Sequence, residues 1–464
     1  MSTAPCPMKV ATVFLRGWCW VHAFIVMRKT MKKTLTICTV GVTLLLSIFT
    51  ASIQASQYEI APCDSADGCR TTGSLWFYGG HVEAGIYGNN HGQRNCYDWA
   101  DWEILFPRGT TGEDWNVLSG NTSALGPARM ADLQMNQLYG YFGKNLDKRR
   151  GFDVGGRIDF MYGTDAYFTQ SNGLEYYYNA IASTSGRMDM SYSRERWGQG
   201  DYLVSFPQIY GEVGSRNLSV KIGKFYTPLE GGAIMAPNRF FYSTSYVHGL
   251  LPITQSGVLA TWEVNPRLAV YGGWTAGDDF FYFGESIFAK ADNNAALFGM
   301  EYKVNQKIHI GYGALMGQEK DYLNSWGNDH DYMTHKIVFG IHPNLRWDYT
   351  FEFVLRNSDF SFDSTGNPWH SNIFGINQEL VYKLDRCWSF GLRGEWSREK
   401  VTGGWLANFY EMTFGINWTP NKHLLVRPEI RYDYCDGDDA GVRAFKMGTE
   451  KDQLGFGTSM VVKF

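Results

Sequence analysis

The sequence predicts an all-β fold, an antiparallel transmembrane β-barrel of about 16 strands with short periplasmic turns and long external loops. Aromatic residues make up 16% of the chain and glycines number 52, so residues that favour strands and turns are abundant. Apolar and polar residues also alternate in paired segments, and the connections between segments are alternately short and long. The mean hydropathy of -0.28 argues against a bundle of membrane helices.

The start of the chain shows the pattern of an export signal. Lys32 and Lys33 precede an apolar run over residues 35–49, and small residues follow up to Ala55. A basic start, a short apolar stretch and a small-residue exit are typical of a secretory signal peptide. The alternative, an uncleaved anchor helix, needs about 20 apolar residues. The predicted divisions are an upstream extension from a misassigned start codon at 1–30, a signal peptide at 31–55, a short periplasmic segment at 56–73 and the barrel at 74–464.

The paired alternating segments are predicted β-hairpins, because turn residues join period-two runs. Strands are expected at 74–87, 133–144 and 152–163, on both sides of 214–217, at 256–264, 267–275, 296–304, 307–317, 332–342, 345–357, 372–384, 387–398, 408–419 and 422–434, and up to Phe464. Pro207 weakens the strand before 214–217, since proline cannot donate a ladder hydrogen bond. The even count suits a single-chain bacterial outer-membrane barrel and places both chain ends on one side.

Long polar connections separate the hairpins. They cover residues 88–131, 164–202, 227–253, 277–293, 318–330, 358–369 and 435–452, and 399–405 is a short exception. Short turns on one side and long loops on the other are typical of outer-membrane barrels. A soluble β-sandwich offers no reason for sorting its loops by side.

The two faces of the predicted strands differ in polarity. In the strand 345–357, Trp347 and Phe351 share one face, while Asp348 and Glu352 share the other. The apolar faces tend to finish on aromatic residues, which would form an aromatic girdle at the lipid headgroups; the alternative is that these residues simply favour strands. Strands of about 10 to 13 residues match a tilted membrane crossing, and sixteen of them leave room for an aqueous channel.

The charge and the cysteines exclude other classes of protein. With 42 basic and 46 acidic residues, the chain has no basic field for nucleic acid. Cys63 and Cys69 would close a small disulfide loop or remain free thiols, because a lone pair without further cysteine or histidine cannot complete a tetrahedral zinc site. We therefore expect no metal and no cofactor.

Residues 221–281 resemble a known family. They contain GKFYTP at the end of a strand, PNRFFYS in an aromatic-rich loop, and then the hairpin SGVLATWEVNPRLAVYGGW. This order resembles the outer-membrane beta-barrel porin family described as OmpL-like, and the resemblance extends more loosely over 74–464. It implies a bacterial outer-membrane porin and transfers no catalytic motif.

In such a barrel, small polar solutes and ions would diffuse through a water-filled lumen and be selected by its width and lining charge. Charged residues on the polar strand faces are the candidates for pore lining, and the alternative for each is a solvated charge that pairs across strands. The candidates are Arg157, Asp159, Arg346, Asp348, Glu352, Arg356, Arg393, Glu395, Glu411, Arg427, Glu429, Arg431 and Asp433.

The third external loop, 227–253, is the candidate constriction. Porins commonly fold this loop into the lumen, an expectation by analogy with the class, and an ordinary surface loop is the alternative. Inside the lumen, its residues Glu230, Arg239, Tyr242 and His248 would meet the solute at the narrowest point.

Phe464 ends the last alternating strand on an aromatic residue. This ending resembles the signal that the bacterial outer-membrane assembly machinery reads. The expected partners are therefore outer-membrane lipid, this machinery and small polar solutes or ions. A homotrimer is an expectation from the class, although no residue pattern identifies its interface.

Three alternative functions stay open. A sugar-selective porin is one, because loop aromatics could stack on pyranose rings. An outer-membrane barrel enzyme is another, with His330, Asp331 and His335 near a loop edge, although no nucleophile elbow of the G-x-S-x-G kind is present. A secreted, soluble β adhesion or binding protein is the third.

Overall fold

The computed structural model describes residues 75–91, 131–147, 151–171, 174–178, 181–182, 188–189, 193–195, 197–199, 202–229, 234–276, 294–320, 329–361, 368–401, 406–437, 445 and 450–464. The predicted signal peptide, the segment 56–73 and the Cys63–Cys69 pair lie outside these residues. Within the described ranges, no helix is long and apolar enough to cross a membrane.

Sixteen strands of the described chain form a closed antiparallel barrel. They are β1 Trp76–Asn89, β2 Gln134–Lys144, β3 Phe152–Gly163, β4 Ile209–Ser215, β5 Leu218–Tyr226, β6 Thr254–Asn265, β7 Leu268–Thr275, β8 Asn294–Asn305, β9 Ile308–Lys320, β10 Asp329–Asn344, β11 Trp347–Ser361, β12 Pro368–Lys383, β13 Trp388–Val401, β14 Leu406–Asn421, β15 Leu424–Gly437 and β16 Asp452–Lys463. Because β1 pairs with both β2 and β16, the barrel has no free edge. The predicted fold class and strand number are confirmed.

The fourth wall position is made of two segments. Tyr202–Ser205 pairs with the end of β3, and β4 pairs with the start of β3. Pro207 lies in the break between them, where a missing backbone N–H costs no ladder hydrogen bond. The proline thus interrupts this strand without removing it.

Five of the short turns share one side-chain hydrogen-bonding pattern; they follow β6, β8, β10, β12 and β14. The Asn265 carboxamide oxygen accepts hydrogen bonds from the backbone N–H groups of Arg267 and Leu268, at 2.9 and 3.1 Å. Two such bonds also form at Asn305, Asn344 and Asp385, and Asn421 accepts one from the His423 backbone N–H. These side chains reproduce a backbone turn, and they explain why the turns lie within two or so residues of the predicted joints.

The outer surface of the barrel is apolar and the inner surface is polar. Along β13, Leu392 and Trp396 are exposed, while Arg393 and Glu395 are buried. Aromatic pairs occur where strands approach the short turns: the rings of Trp388 and Trp418 stack at 6.0 Å. Rings at this level suit the membrane interface of an outer-membrane barrel.

Two external loops extend into the barrel interior. Loop 3 (227–253) contains a 3-10 helix at Ala236–Asn238 and one α-helical turn at Tyr246–Gly249. Loop 2 runs from residue 164 to the wall segment Tyr202–Ser205 and begins with a 3-10 helix at Thr164–Thr169. We call its residues 164–171 the loop 2 segment.

Both loops pack against the inner wall. Val247 and Leu250 of loop 3 share one buried cluster with Val354 of β11 and Ile373 of β12. The loop 2 segment contributes Ala166 to a second buried cluster, which also contains Ile234 of loop 3 and Met161 of β3. The two loops therefore meet inside the membrane-spanning part of the barrel.

Candidate constriction and pore lining

Loop 3 rests on inward-facing glycines of the barrel wall, which we call the glycine track. A Cβ atom added to Gly391 would stand 2.2 Å from the Phe240 ring, and one added to Gly375 would stand 2.8 Å from Val247. The members of the track are Gly85, Gly313, Gly375, Gly391, Gly415 and Gly457. Only glycine allows the loop side chains to approach the wall backbone so closely. The glycine track thus determines how closely loop 3 can approach the barrel wall.

Replacing Gly391 by leucine is expected to push loop 3 off the wall, at a cost of about 1–3 kcal/mol from overpacking. Trypsin should then cleave within loop 3, and the single-channel conductance should change. Gly394→Leu is the matched control, because Gly394 faces outward from the same strand and an added Cβ meets nothing within 4 Å. Equal behaviour of the two variants would contradict a wall contact at Gly391.

Three arginines of the wall bind carbonyl groups of loop 3. The Arg393 guanidinium donates to the Ser243 carbonyl at 2.8 Å, and Arg431 donates to the Thr244 carbonyl at 2.5 Å. Arg427 donates to two carbonyls, those of Ala236 and Arg239, both at 2.8 Å. All three side chains are fully buried. Each arginine therefore satisfies loop backbone that would otherwise lie unpaired inside the barrel.

Carboxylates of the same wall accept hydrogen bonds from loop 3 N–H groups. Glu429 accepts from Tyr242 and Ser243, at 2.7 and 2.9 Å. Glu395 accepts from Tyr246 and Val247, at 2.9 and 3.2 Å. Hydrogen bonds to a charged acceptor are stronger than those between neutral groups. The positive and negative side chains of this wall thus match the carbonyl and N–H groups of loop 3, respectively.

Loop 3 also binds the first two strands. The Arg239 guanidinium donates to Glu83 of β1 at 2.8 Å, and Glu83 also accepts from Arg427. On β2, the Tyr242 hydroxyl donates to Asn136 at 3.0 Å, and Gln137 donates to the Ile234 carbonyl at 2.7 Å. Because β1 pairs with β16, loop 3 crosses the junction between the two ends of the barrel wall.

The loop 2 segment joins this network through Asp165. Its carboxylate accepts from Gln137 at 2.7 Å and lies 3.5 Å from the Arg239 guanidinium. Burial raises the pKa of Asp165 to about 7, against the opposing effect of Arg239. Loop 2 is also bound to the wall beyond residue 171, because Glu175 of the loop forms a buried ion pair with Lys224 of β5 at 3.0 Å.

The raised pKa of Asp165 predicts a pH effect on loop 2. An undocked aspartate ionises at about pH 4, whereas docked Asp165 has a pKa of about 7. Between these two values the docked segment binds more protons than the undocked segment, so docking becomes less stable as the pH rises. Hydrogen-exchange protection of residues 164–171 should therefore fall across this window. Asp165→Asn should remove the pH dependence, and a parallel fall in both proteins would count against Asp165 as its source.

Comparison with known proteins identifies the family. Residues 116–464 match the sequence profile described as "Putative beta-barrel porin-2, OmpL-like". The chain belongs to this family. The porin is accordingly a channel of the bacterial outer membrane for small solutes. No curated protein sequence matches the chain.

A solved outer-membrane channel shares the fold of this porin. The outer membrane channel DcaP of Acinetobacter baumannii aligns with a TM-score of 0.53 at 11% identity, over 86% of this chain and 100% of DcaP. The anion-selective porin from Comamonas acidovorans aligns with a TM-score of 0.49 at 10% identity, over 84% of this chain and 99% of the other. Outer-membrane expressed OmpT of Vibrio cholerae aligns with a TM-score of 0.48 at 9% identity, over 89% and 100%.

Most of the predicted pore-lining residues of the porin contact loop 3 or its anchors. These are Arg393, Glu395, Glu411, Arg427, Glu429, Arg431 and Asp433. Glu411 acts indirectly, since it accepts a hydrogen bond from Arg393 at 3.1 Å. Asp433 accepts from the Tyr246 hydroxyl at 2.7 Å. Sequence alternation predicts that these side chains face the lumen. In the structure, they bind loop 3 or the residues that anchor it.

The other predicted residues of the porin wall lie apart from this network. Arg157 pairs with Asp159 at 2.6 Å on β3, and Glu352 of β11 pairs with Lys336 at 2.8 Å. Arg356 lies over the Tyr332 ring. Asp348 binds His342 and Lys383 near the short turns. Arg346 is exposed in the turn between β10 and β11.

The predicted constriction residues of loop 3 take different positions. Arg239 and Tyr242 lie in the contact with β1 and β2 described above. His248 is buried in the helical turn Tyr246–Gly249, where its backbone N–H donates a hydrogen bond to the Ser245 hydroxyl at 3.0 Å. Glu230 lies outside the described residues.

The residues of the enzyme alternative bind separate partners. Asp331 accepts from Gln318 at 2.8 Å, while His335 pairs with the Tyr312 hydroxyl at 2.9 Å. Asp331 and His335 share the strand face of the exposed Ile337, which points away from the lumen. The side chain of His330 lies outside the described residues.

Sequence reasoning missed Glu83, Gln137 and Asp165. The alternation of β1 could have revealed Glu83, because it shares a face with the inward-facing His81. Asp165 follows a strand end in a long polar loop, and nothing local distinguishes it from a solvated aspartate.

Proposed function

We propose that this porin passes small polar solutes and ions by passive diffusion through a water-filled lumen, which loop 3 and the loop 2 segment narrow. The observation that carries the proposal is the position of loop 3, which is bound to β1, β2, β13 and β15 inside the membrane-spanning wall. The chain is proposed to make and break no covalent bond of the solute.

The charged candidates divide into two roles under this proposal. The buried arginines and carboxylates of β13 and β15 hold the constriction in place. The partly exposed carboxylates Asp348 and Glu352, at 22% and 20% exposure, meet the solute directly. The anchored loops therefore set the width of the lumen, and the carboxylates of β11 contribute its charge.

Reconstitution in planar lipid bilayers tests the proposal. The purified porin should give stepwise currents in potassium chloride, with a conductance that changes in the Gly391→Leu variant. Absence of stepwise conductance from correctly folded protein would refute the channel function. Hydrolysis of ester or peptide substrates that is lost on His335→Ala would instead favour the enzyme alternative.

We also propose export by the signal peptide at 31–55 and assembly as a homotrimer. The basic, apolar and small-residue order of the leader supports export. N-terminal sequencing of the mature protein should begin at residue 56. The mass of the detergent-solubilised complex should correspond to three chains, and a single-chain mass would refute the trimer.

A further inference from the structure

Aromatic and charged side chains line the inner wall on the short-turn side of loop 3. We call Tyr141, Arg157, Tyr210, Lys221 and Tyr271 the aromatic belt; they lie on β2, β3, β4, β5 and β7. The register places Tyr210 directly opposite Arg157. The belt therefore occupies a contiguous part of the wall that loop 3 does not bind through its arginine anchors.

The position of the belt follows from its contacts with the interior clusters. Tyr210 and Tyr271 pack against the cluster that contains Leu229 of loop 3. Tyr141 packs against the cluster that contains Ile234 of loop 3. A solute that passes the constriction would meet these rings next.

Each cation of the belt lies on an aromatic ring. The Arg157 guanidinium is 5.0 Å from the centroid of the Tyr141 ring, and the Lys221 ammonium is 4.7 Å from that of Tyr210. Such cation–π contacts hold both partners in place. The rings therefore present fixed surfaces.

The charges of the belt are balanced. Arg157 pairs with Asp159 at 2.6 Å, and Lys221 lies directly opposite Glu212 in the strand register. Together with Asp159 and Glu212, the belt has no net charge and gives no electrostatic preference to anions or cations. Its chemistry instead offers flat apolar faces beside alternating hydrogen-bond donors and acceptors.

The rings remain partly accessible. Tyr141, Tyr210 and Tyr271 are each half-buried. The phenol end of Tyr271 lies over Gly299, where an added Cβ would stand 2.3 Å from the hydroxyl oxygen. The wall covers this end of the ring from one side, and the accessible part faces the lumen.

We propose that the aromatic belt is a carbohydrate-binding subsite, an inference that rests on the proposed channel function. The apolar C–H face of a pyranose would stack on the accessible parts of the Tyr141 and Tyr210 rings, beside the cations that lie on these rings. Its hydroxyls would bind Lys221, Glu212 and the tyrosine hydroxyls, which provide both donors and acceptors. An aromatic carboxylate fits less well, because Asp159 and Glu212 already balance the two cations.

Block of the channel current by maltotriose tests the subsite. In the wild-type porin, maltotriose should reduce the current saturably, whereas a polyethylene glycol of similar size should reduce it without saturation. Tyr210→Leu and Tyr141→Leu should each weaken the block about five- to tenfold, the scale of one lost ring contact. Tyr210→Phe should retain most of the block, because the ring remains and only one hydroxyl contact is lost. Tyr302→Leu, on the outer face, should match the wild type.

A second readout keeps the inference testable without a current. Saturation-transfer NMR on the detergent-solubilised porin should report maltotriose binding that Tyr210→Leu weakens. Missing conductance with intact sugar binding would count against the channel and support the subsite. Conductance without saturable block or NMR transfer would overturn the subsite alone, as would equal block in Tyr210→Leu and wild type, or saturable block by benzoate in place of maltotriose.

Discussion

Replacing Arg427 by methionine is expected to release loop 3 from the barrel wall. Arg427 binds two loop carbonyls, the Ser459 hydroxyl and Glu83, and its loss leaves a buried carboxylate short of a partner. Breaking such a pair costs about 3–5 kcal/mol. The loop should become sensitive to trypsin, and the single-channel conductance should rise because the lumen widens.

Two further variants isolate the cause. Arg267→Met removes an exposed arginine in the turn between β6 and β7 and should leave the current unchanged. Glu83→Gln added to Arg427→Met removes the stranded charge and should recover part of the stability lost by the single variant. A protease-resistant loop 3 and an unchanged conductance in Arg427→Met would show that this arginine does not hold the constriction.

Deletion of Phe464 is expected to reduce assembly into the outer membrane far more than it changes the conductance of pores that form. Phe464 and Gly80 exchange two backbone hydrogen bonds, at 3.0 and 3.1 Å, each worth about 0.5–1.5 kcal/mol. The ring is 63% exposed on the outer surface. The deletion therefore removes the last pair of the β1–β16 ladder together with the proposed assembly signal.

The amount of heat-modifiable barrel in outer-membrane fractions measures this effect. Phe456→Ala is the matched control, since Phe456 is another exposed aromatic on β16 but lies away from the chain end. It should assemble nearly normally. If the Phe464 deletion assembles as well as this control, the terminal aromatic carries no assembly signal.

The barrel was predictable because its causes are local. Period-two alternation fixes which face of a strand is apolar, and an asparagine such as Asn265 or Asn344 marks a short turn with its own side chain. Neither signal depends on contacts distant in the sequence. Strand bounds therefore agreed closely wherever a short turn joined two strands.

The constriction was only partly predictable because its contacts are distant in the sequence. Glu83 and Arg427 are far apart along the chain and meet only once the barrel has closed. Alternation places Arg427 inside the barrel but does not distinguish a side chain that meets water from one that binds a loop. The sequence likewise does not distinguish Gly391 from any other strand glycine. Its role depends on the Phe240 ring, which packs against it only in the folded barrel.

The path of loop 3 across the junction of β1 and β16 has a consequence for cooperativity. The loop binds Glu83 and Asn136 on one side of the junction and Arg427 and Glu429 on the other. Opening the barrel at this junction would break the ladder and the loop contacts together. Loop insertion and barrel closure are thus thermodynamically linked, so force or denaturant applied to the first and last strands should produce one concerted transition.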